Sequence, residues 1–185
     1  MYDASTLGLL IYKAENGLKE IMFADKAVVY VVDQTANIFY KFNANGEKIS
    51  FSLDTGIVGL AAKGGEILDI TDPYNHPSFH SLVDIESNIP ILCLPVKDTK
   101  GENKILAIMQ VLNLKALRRR GKGKKQDLAE SETLHLFQVQ VATCIEQFER
   151  KRTLKLEKVK SRALLSFYRK NTQQSLNEEV VEENT

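Results

Sequence analysis

The sequence predicts an α+β fold built on a central, mostly antiparallel sheet. Short β-branched and apolar runs occur in hairpin pairs and do not alternate strictly with helices, which disfavours a doubly wound parallel sheet. The clearest pair covers residues 38–42 and 48–53, and Asn45-Gly46 between them supplies the positive φ angles of a tight turn. The expected order is one helix, three strands, a variable segment, two strands and a long helix.

The regular elements follow from the spacing of their apolar residues. Residues 5–23 carry apolar side chains at roughly helical intervals and predict an amphipathic helix. Residues 26–33 form a β-branched run that is short for a helix, so we expect a central strand. Two further apolar runs, 90–96 and 105–112, predict a second strand pair joined by a turn-rich loop.

Composition and charge fit one soluble domain with an extension. The chain has 185 residues, of which 43% are hydrophobic, so it can bury a core. Its formal net charge of +1 provides no global field that would recruit nucleic acid or a membrane. No membrane span or signal peptide is evident, so a cytoplasmic location is expected, with an organelle lumen reached without a cleaved signal as the alternative. Cys93 and Cys144 suit reduced core positions better than a disulfide.

Residues 56–84, here called the lid, are interpreted as the cover of a ligand pocket. Glycines bracket a short apolar run at its start, which predicts a single helical turn that stops at glycine. A strand over 66–70 and a run of turn residues over 71–77 are expected next. An amphipathic helical segment should follow, with Phe79, Leu82 and Val83 on one side.

Residues 115–127 form a basic, glycine-containing loop with seven lysines and arginines. The loop is a candidate for docking an acidic partner, a phosphate-rich surface or calmodulin, or for a localisation signal. The alternative is a solvated loop between strand and helix, and we favour it because short basic motifs are unspecific. No aromatic residues are interleaved with the charges, so nucleic acid is an improbable partner.

A long helix is expected from residue 131 to residue 170. Its first half should pack on the sheet, and a domain boundary is placed at residue 150. Residues 151–170 should project and pair, as in a coiled coil, with a protein partner or a second copy. The apolar stripe predicted to make this contact is Leu156, Val159, Ala163 and Phe167. Residues 171–185 are polar and acidic and are expected to be a disordered tail.

Five short motifs between residues 24 and 113 carry a family resemblance. They are Gly-Ile-Val-Gly at 56–59, Gly-Glu-Ile-Leu-Asp-Ile at 65–70, Asp-x-Tyr-x-x-Pro-x-Phe at 72–79, Val-Asp at 83–84 and Ile-Leu-Cys-Leu-Pro-Val at 91–96. In order and spacing they resemble a GAF domain, and within that superfamily they are most similar to the regulatory GAF domains of cyclic-nucleotide phosphodiesterases. The resemblance implies a GAF domain over residues 1–150. It places the terminal helices on one face of the sheet and the lid, with a small-molecule pocket, on the other.

The resemblance also implies a ligand, a cyclic nucleotide such as cyclic GMP or cyclic AMP. Its purine would be clamped between sheet and lid, and the N-terminus of a short helix would face the cyclic phosphate. The corresponding positions in this sequence are Val58, Leu60, Tyr74, Asp84, Gln110 and Asn113. Tyr74 would contact the ligand or simply pin the lid, and Gln110 would hydrogen-bond the ligand or be a satisfied polar group.

The sequence departs from the family pattern at the residues that close the fold. The family's Asn-Lys, Phe and Asp-Glu set survives only as its asparagine. The corresponding residues here are Asn113-Leu114, Leu128 and Glu132-Thr133. A leucine and a glutamate cannot form the family's salt bridge, and the segment 85–90 is shorter than usual. These departures predict a lid that stays mobile.

Two functions of different classes are therefore expected. The first is a non-catalytic interaction or structural subunit of a larger assembly, with a degenerate nucleotide pocket. The alternative is a regulatory sensor that binds a cyclic nucleotide and signals through the long helix. Catalysis finds little support, because the chain has only three histidines, His76, His80 and His135, and lacks the ligand set of a catalytic metal centre. No metal site is assigned.

Overall fold

The computed structural model describes residues 4–112 and 132–182. Asn113, Leu114, Leu128 and the basic loop over residues 115–127 lie outside the described residues. The chain divides into two compact units, Met1–Glu146 and Gln147–Thr185. Each unit is described by itself.

The first unit is built on a six-stranded antiparallel sheet. In chain order the strands are β1 (Lys26–Asp33), β2 (Ile38–Phe42), β3 (Lys48–Ser52), β4 (Leu68–Ile70), β5 (Ile91–Lys97) and β6 (Ile105–Leu112). Their order across the sheet is β3-β2-β1-β6-β5-β4, and every neighbouring pair is antiparallel. The predicted α+β fold is confirmed, and the β-branched run of β1 is an interior strand as expected.

Alternation along β1 gives the sheet two buried faces. Val28, Tyr30 and Val32 belong to the core between the sheet and the lid. The intervening Val29 and Val31 are buried on the opposite face, where the terminal helices lie. Because both faces are covered, the strand reads as a continuous apolar run.

Helix α1 (Ala4–Met22) covers the second face with one apolar stripe. Its buried side chains recur at helical spacing and are Leu7, Ile11, Ala14, Leu18 and Met22. The helix also supplies a polar contact to the sheet, because Glu15 Oε1 accepts a hydrogen bond from the Val29 amide at 3.0 Å. Burial raises the pKa of this carboxyl group.

Helix α2 (Gly56–Gly64) opens the lid and is longer than the single turn predicted. It ends at Gly65, whose left-handed backbone (φ 64°) directs its amide to the Ala61 carbonyl at 2.9 Å. The strand that follows it, β4, is shorter than the predicted span 66–70.

The predicted amphipathic helix near Phe79 and Val83 is wrong. The chain there makes isolated turns, with amide-to-carbonyl hydrogen bonds from His76 to Pro73 and from Phe79 to His76. Side chains take the backbone groups that a helical ladder would use: Asp84 accepts the His80 amide, and Lys41 and Tyr30 donate to the Leu82 and Val83 carbonyls. Apolar spacing alone therefore overestimated the regularity of this segment.

Helix α3 (Glu132–Glu182) is a single helix of 51 residues. In the first unit it buries Leu134, Val141, Ala142 and Ile145. The helix continues through residues 171–182, where the sequence predicts a disordered tail. The physical reason is that residues 132–182 contain neither glycine nor proline and are rich in helix formers. Within residues 4–112 and 132–182, no helix combines the length and apolarity needed to cross a bilayer.

A test of the fold concerns Gly59 in α2. A β-carbon at this position would lie 2.5 Å from the Leu53 carbonyl oxygen, which is backbone and cannot rotate away. We expect Gly59→Ala to lower the free energy of unfolding by about 2 kcal/mol through overpacking. The matched control is Gly64→Ala in the same helix, where a β-carbon meets nothing within 4 Å. The control should be neutral or stabilising by less than about 1 kcal/mol. Urea denaturation of the two variants measures both, and equal effects would contradict the close approach at Gly59.

Candidate functional site

The Asp84 carboxylate is the centre of the site between the sheet and the lid. It is 4% exposed and accepts three backbone hydrogen bonds. Oδ2 accepts from Ile57 at 3.0 Å and from His80 at 2.9 Å, and Oδ1 accepts from Val58 at 3.2 Å. One side chain therefore joins the start of α2 to the far end of the lid.

The two α2 amides are among those that a helix leaves without internal partners. The adjacent Thr55 makes no capping hydrogen bond with its side chain, so the cap comes from Asp84, 27 residues away in sequence. Gly56 makes room for it: its φ is 76°, and a β-carbon would lie 2.8 Å from Asp84 Oδ2. The positive end of the α2 dipole thus already faces an anion that belongs to the chain.

Gln110 on β6 completes the hydrogen bonding of this carboxylate. Its side chain is fully buried, and Nε2 donates to Asp84 Oδ1 at 3.0 Å and to Cys93 Sγ at 3.6 Å. Its Oε1 accepts from the Ile85 amide at 2.9 Å. Burial raises the pKa of the Cys93 thiol to about 12, so the sulfur is a protonated core group at neutral pH.

Two further side chains from the sheet hold the same stretch of the lid. The Tyr30 hydroxyl donates to the Val83 carbonyl, and Lys41 Nζ donates to the Leu82 carbonyl at 3.3 Å. Burial raises the pKa of Tyr30 and lowers that of Lys41. Lys41 Nζ also lies 5.4 Å from the centre of the Tyr30 ring, within reach of a cation–π interaction.

The consecutive residues 82–85, here called the anchored segment, are therefore all tied to the sheet or to α2. The mobile lid that the departures from the family pattern predict stays a prediction. The groups that hold this segment in the structure, Tyr30, Lys41 and Gln110, do not belong to the lost motif. Sequence reasoning missed Tyr30 and Lys41. A phenol within an otherwise aliphatic strand was the available signal, because a buried hydroxyl needs a hydrogen-bond partner.

The predicted ligand-binding residues divide into two groups. Val58, Asp84 and Gln110 come together and are buried. Leu60 and Tyr74 are 42% and 50% exposed, and the Tyr74 ring packs against Phe79 with centroids 5.0 Å apart. The sixth residue, Asn113, lies outside the described residues.

The space between the sheet and the lid is closed by apolar packing around the polar centre. The edge of Tyr30 meets Phe39 at 5.5 Å and 87°. Ile57, Val83 and Ile108 are buried in the same cluster. Among the residues that the structure describes, every buried side-chain nitrogen or oxygen has a hydrogen-bond partner. The polar groups that would read a ligand are thus satisfied by the chain itself.

The lid contains two histidines, His76 and His80. His76 Nδ1 accepts a hydrogen bond from the Ser78 amide at 3.2 Å. Over residues 4–112 and 132–182 no three histidine, cysteine, aspartate or glutamate side chains are grouped to hold a metal ion.

Solved structures share this architecture. The GAF domain of the Acinetobacter phosphoenolpyruvate-protein phosphotransferase superposes with a TM-score of 0.52 at 20% identity, over 75% of this chain and 80% of that one. The second GAF domain of DevS from Mycobacterium smegmatis gives 0.53 at 16% identity, over 82% of this chain and 99% of that one. This chain has the GAF fold. At these identities the likeness concerns the fold alone.

The sequence is also similar to a phosphodiesterase, the class of protein that the resemblance indicates. A probable 3',5'-cyclic phosphodiesterase of Caenorhabditis elegans is 29% identical over 113 residues, which are 51% of this chain and 16% of that protein. The GAF chain therefore matches a small part of that relative's length. No family model matches the sequence.

The site generates a prediction for Asp84→Asn. The substitution places an amide nitrogen, which is a donor, against backbone amides that are also donors, and it removes the charge that faces the α2 dipole. We expect the free energy of unfolding to fall by about 2 kcal/mol. Asp72→Asn is the control, because Asp72 is exposed and caps only the local turn at Asn75. The control should cost less than about 0.5 kcal/mol. Thermal and urea denaturation compare the two, and a similar loss in both would refute the role assigned to Asp84.

Proposed function

We propose that this chain is a non-catalytic GAF-domain protein that acts as an interaction or structural subunit of a larger assembly, and that its pocket no longer takes a cyclic nucleotide. The observation that supports this most directly is the Asp84 carboxylate at the N-terminus of α2. The resemblance implies that a helix N-terminus beside the pocket faces the cyclic phosphate. An anionic ligand arriving at α2 would meet a fixed negative charge and amides that are already bonded.

The loss of the family's closing residues supports the same proposal. Leu114 and Glu132 stand where a lysine and an acidic residue form a salt bridge in the family pattern. Tyr74, the lid aromatic expected near the ribose and phosphate, is half exposed and packs on Phe79. The thiol of Cys93 is buried and protonated, which removes the nearest nucleophile in the site from chemistry. A cytoplasmic location is part of the proposal.

The second unit supplies the contact surface of the proposed subunit. Every residue from 150 to 169 is exposed, including the predicted stripe of Leu156, Val159, Ala163 and Phe167. Leu156 and Phe167 are 53% and 59% exposed. A row of exposed apolar side chains on one helix commonly marks an interface.

The alternative function, a sensor for cyclic GMP or cyclic AMP, is favoured by the similarity to a phosphodiesterase. In that function the lid would close on the nucleotide and pass the change to α3. The anchored segment is the difficulty for this alternative, because it already holds the lid on the sheet without a ligand.

Nucleotide titration separates the two functions. We expect isothermal titration with cyclic GMP and with cyclic AMP to give no saturable heat, and neither nucleotide to raise the melting midpoint. A ligand present at 100 times its dissociation constant would stabilise the fold by about 2.7 kcal/mol, which a melt detects readily. A clear rise with micromolar cyclic GMP that Tyr74→Ala abolishes would establish the sensor function and overturn the proposal.

The helix surface has its own test in Leu156→Ala/Phe167→Ala. Because both side chains are exposed, we expect the double variant to shift the free energy of unfolding by less than about 0.5 kcal/mol. Association with a partner should weaken, since apolar anchors at an interface commonly contribute about 2 kcal/mol each. Sedimentation of the assembly beside a thermal melt measures both quantities. A collapsed melt would place these side chains in the core instead.

A further inference from the structure

We propose that residues 150–169 of α3, here called the basic helix, bind as an amphipathic helix in an apolar groove rimmed by carboxylates on an acidic protein. The inference deepens the proposed function, on which it rests, by naming the kind of partner. It is carried by the exposure of the helix, the sign of its charge and the arrangement of its side chains.

The basic helix has a strong local charge within a nearly neutral chain. It carries eight lysines and arginines and one glutamate, whereas the whole protein has a formal net charge of +1. All twenty residues are exposed. Arg152 pairs with Glu149 at 3.9 Å between exposed side chains, and such a pair neutralises little of this charge. A partner surface of negative charge is the electrostatic complement.

Most cations of the basic helix lie apart from the side that carries Leu156 and Phe167. At about 100° per residue, five basic residues fall within about 60° of arc, and Leu154 and Leu165 border them. The five are Lys151, Lys155, Lys158, Arg162 and Arg169, whereas Arg152 and Lys160 lie within the apolar side. Leu156, Ala163 and Phe167 fall within about 40° on another side, and Val159 and Leu164 flank them. This arrangement, with large apolar anchors spaced over three turns, is that of a helix bound in a groove.

Lys160 decides between a protein groove and a lipid surface. It lies about 20° of arc from Phe167, inside the apolar side of the helix. On a membrane surface this side faces the acyl region, where a cation is costly. A protein groove accommodates it by placing a carboxylate opposite the amine. The observations therefore favour the acidic protein.

A second copy of the helix is disfavoured by the same charges. A parallel, in-register pair through the apolar side would place Arg152 and Lys160, which lie within that side, beside their own copies. Like charges at such positions oppose coiled-coil pairing. An acidic groove removes this repulsion and replaces it with attraction.

The experiment uses the full chain and calcium-loaded calmodulin as the probe, because that protein opens a Met-rich apolar groove when calcium binds. We expect saturable binding by isothermal titration, lost with calcium-free calmodulin and weakened as salt rises. Leu156→Ala and Phe167→Ala should each weaken binding on the order of tenfold. The control is Leu136→Ala, a leucine of the first unit that is also exposed, which should leave the affinity unchanged.

The charge requirement is tested by Lys155→Glu/Lys158→Glu/Arg162→Glu, which we expect to weaken binding by at least about tenfold. A matched triple variant, Lys13→Glu/Lys100→Glu/Lys104→Glu, changes the net charge equally at exposed sites of the first unit and should leave the affinity within about twofold. Circular dichroism of both triple variants verifies that the helix persists.

Three results would overturn the inference. One is no saturable binding to calcium-loaded calmodulin. Another is binding to vesicles of phosphatidylcholine and phosphatidylserine with none to calmodulin. The third is concentration-dependent dimerisation of the chain, by sedimentation, that Leu156→Ala/Phe167→Ala abolishes. Each of these leaves the nucleotide titration unaffected, so failure of the basic helix and failure of the proposed function are distinguishable.

Discussion

The hydrogen bonding of the Asp84 carboxylate is the interaction on which the lid depends. A carboxylate that is removed from water without partners is strongly destabilising, so a buried one persists only where donors surround it. Here the donors are the amides of Ile57, Val58 and His80 and the amide side chain of Gln110. They come from α2, from the later part of the lid and from β6, so none of these parts can separate from the others without exposing the carboxylate or leaving its donors unpaired.

The anchored segment extends this single cap into a continuous attachment. Leu82 and Val83 offer their carbonyls to Lys41 and Tyr30, and Ile85 offers its amide to Gln110. Individually such bonds contribute about 1 kcal/mol, but four consecutive residues that share one short backbone stretch must be released together. A ligand-gated lid needs open and closed states within a few kcal/mol of each other. The chain's own contacts bias this lid towards the sheet before any ligand arrives.

The sequence determines the sheet more clearly than it determines the lid. The strands of the sheet are visible because burial on both faces makes β1 and β6 continuous apolar runs, and Asn45-Gly46 specifies the hairpin. The lid is less visible because its order comes from side-chain hydrogen bonds over long separations, 27 residues between Asp84 and Ile57 and 53 between Tyr30 and Val83. No local pattern encodes such a contact. The family resemblance indicates Asp84 and Gln110 as site positions. Only the folded structure shows that the two side chains hydrogen-bond each other.

The net charge of the whole chain says little about which partner the protein binds, because a partner meets only the charges near its contact surface. A formal net charge of +1 implies a neutral molecule, yet ionic screening limits each charge to about 8 Å at physiological salt. A partner that contacts residues 150–169 therefore meets their eight cations and not the average of the chain. In the first unit the α2 dipole, which would attract an anion, is already matched internally by Asp84. Among the described residues, the positive charge that a partner can reach is concentrated in exposed side chains of α3. These side chains are not part of the buried core.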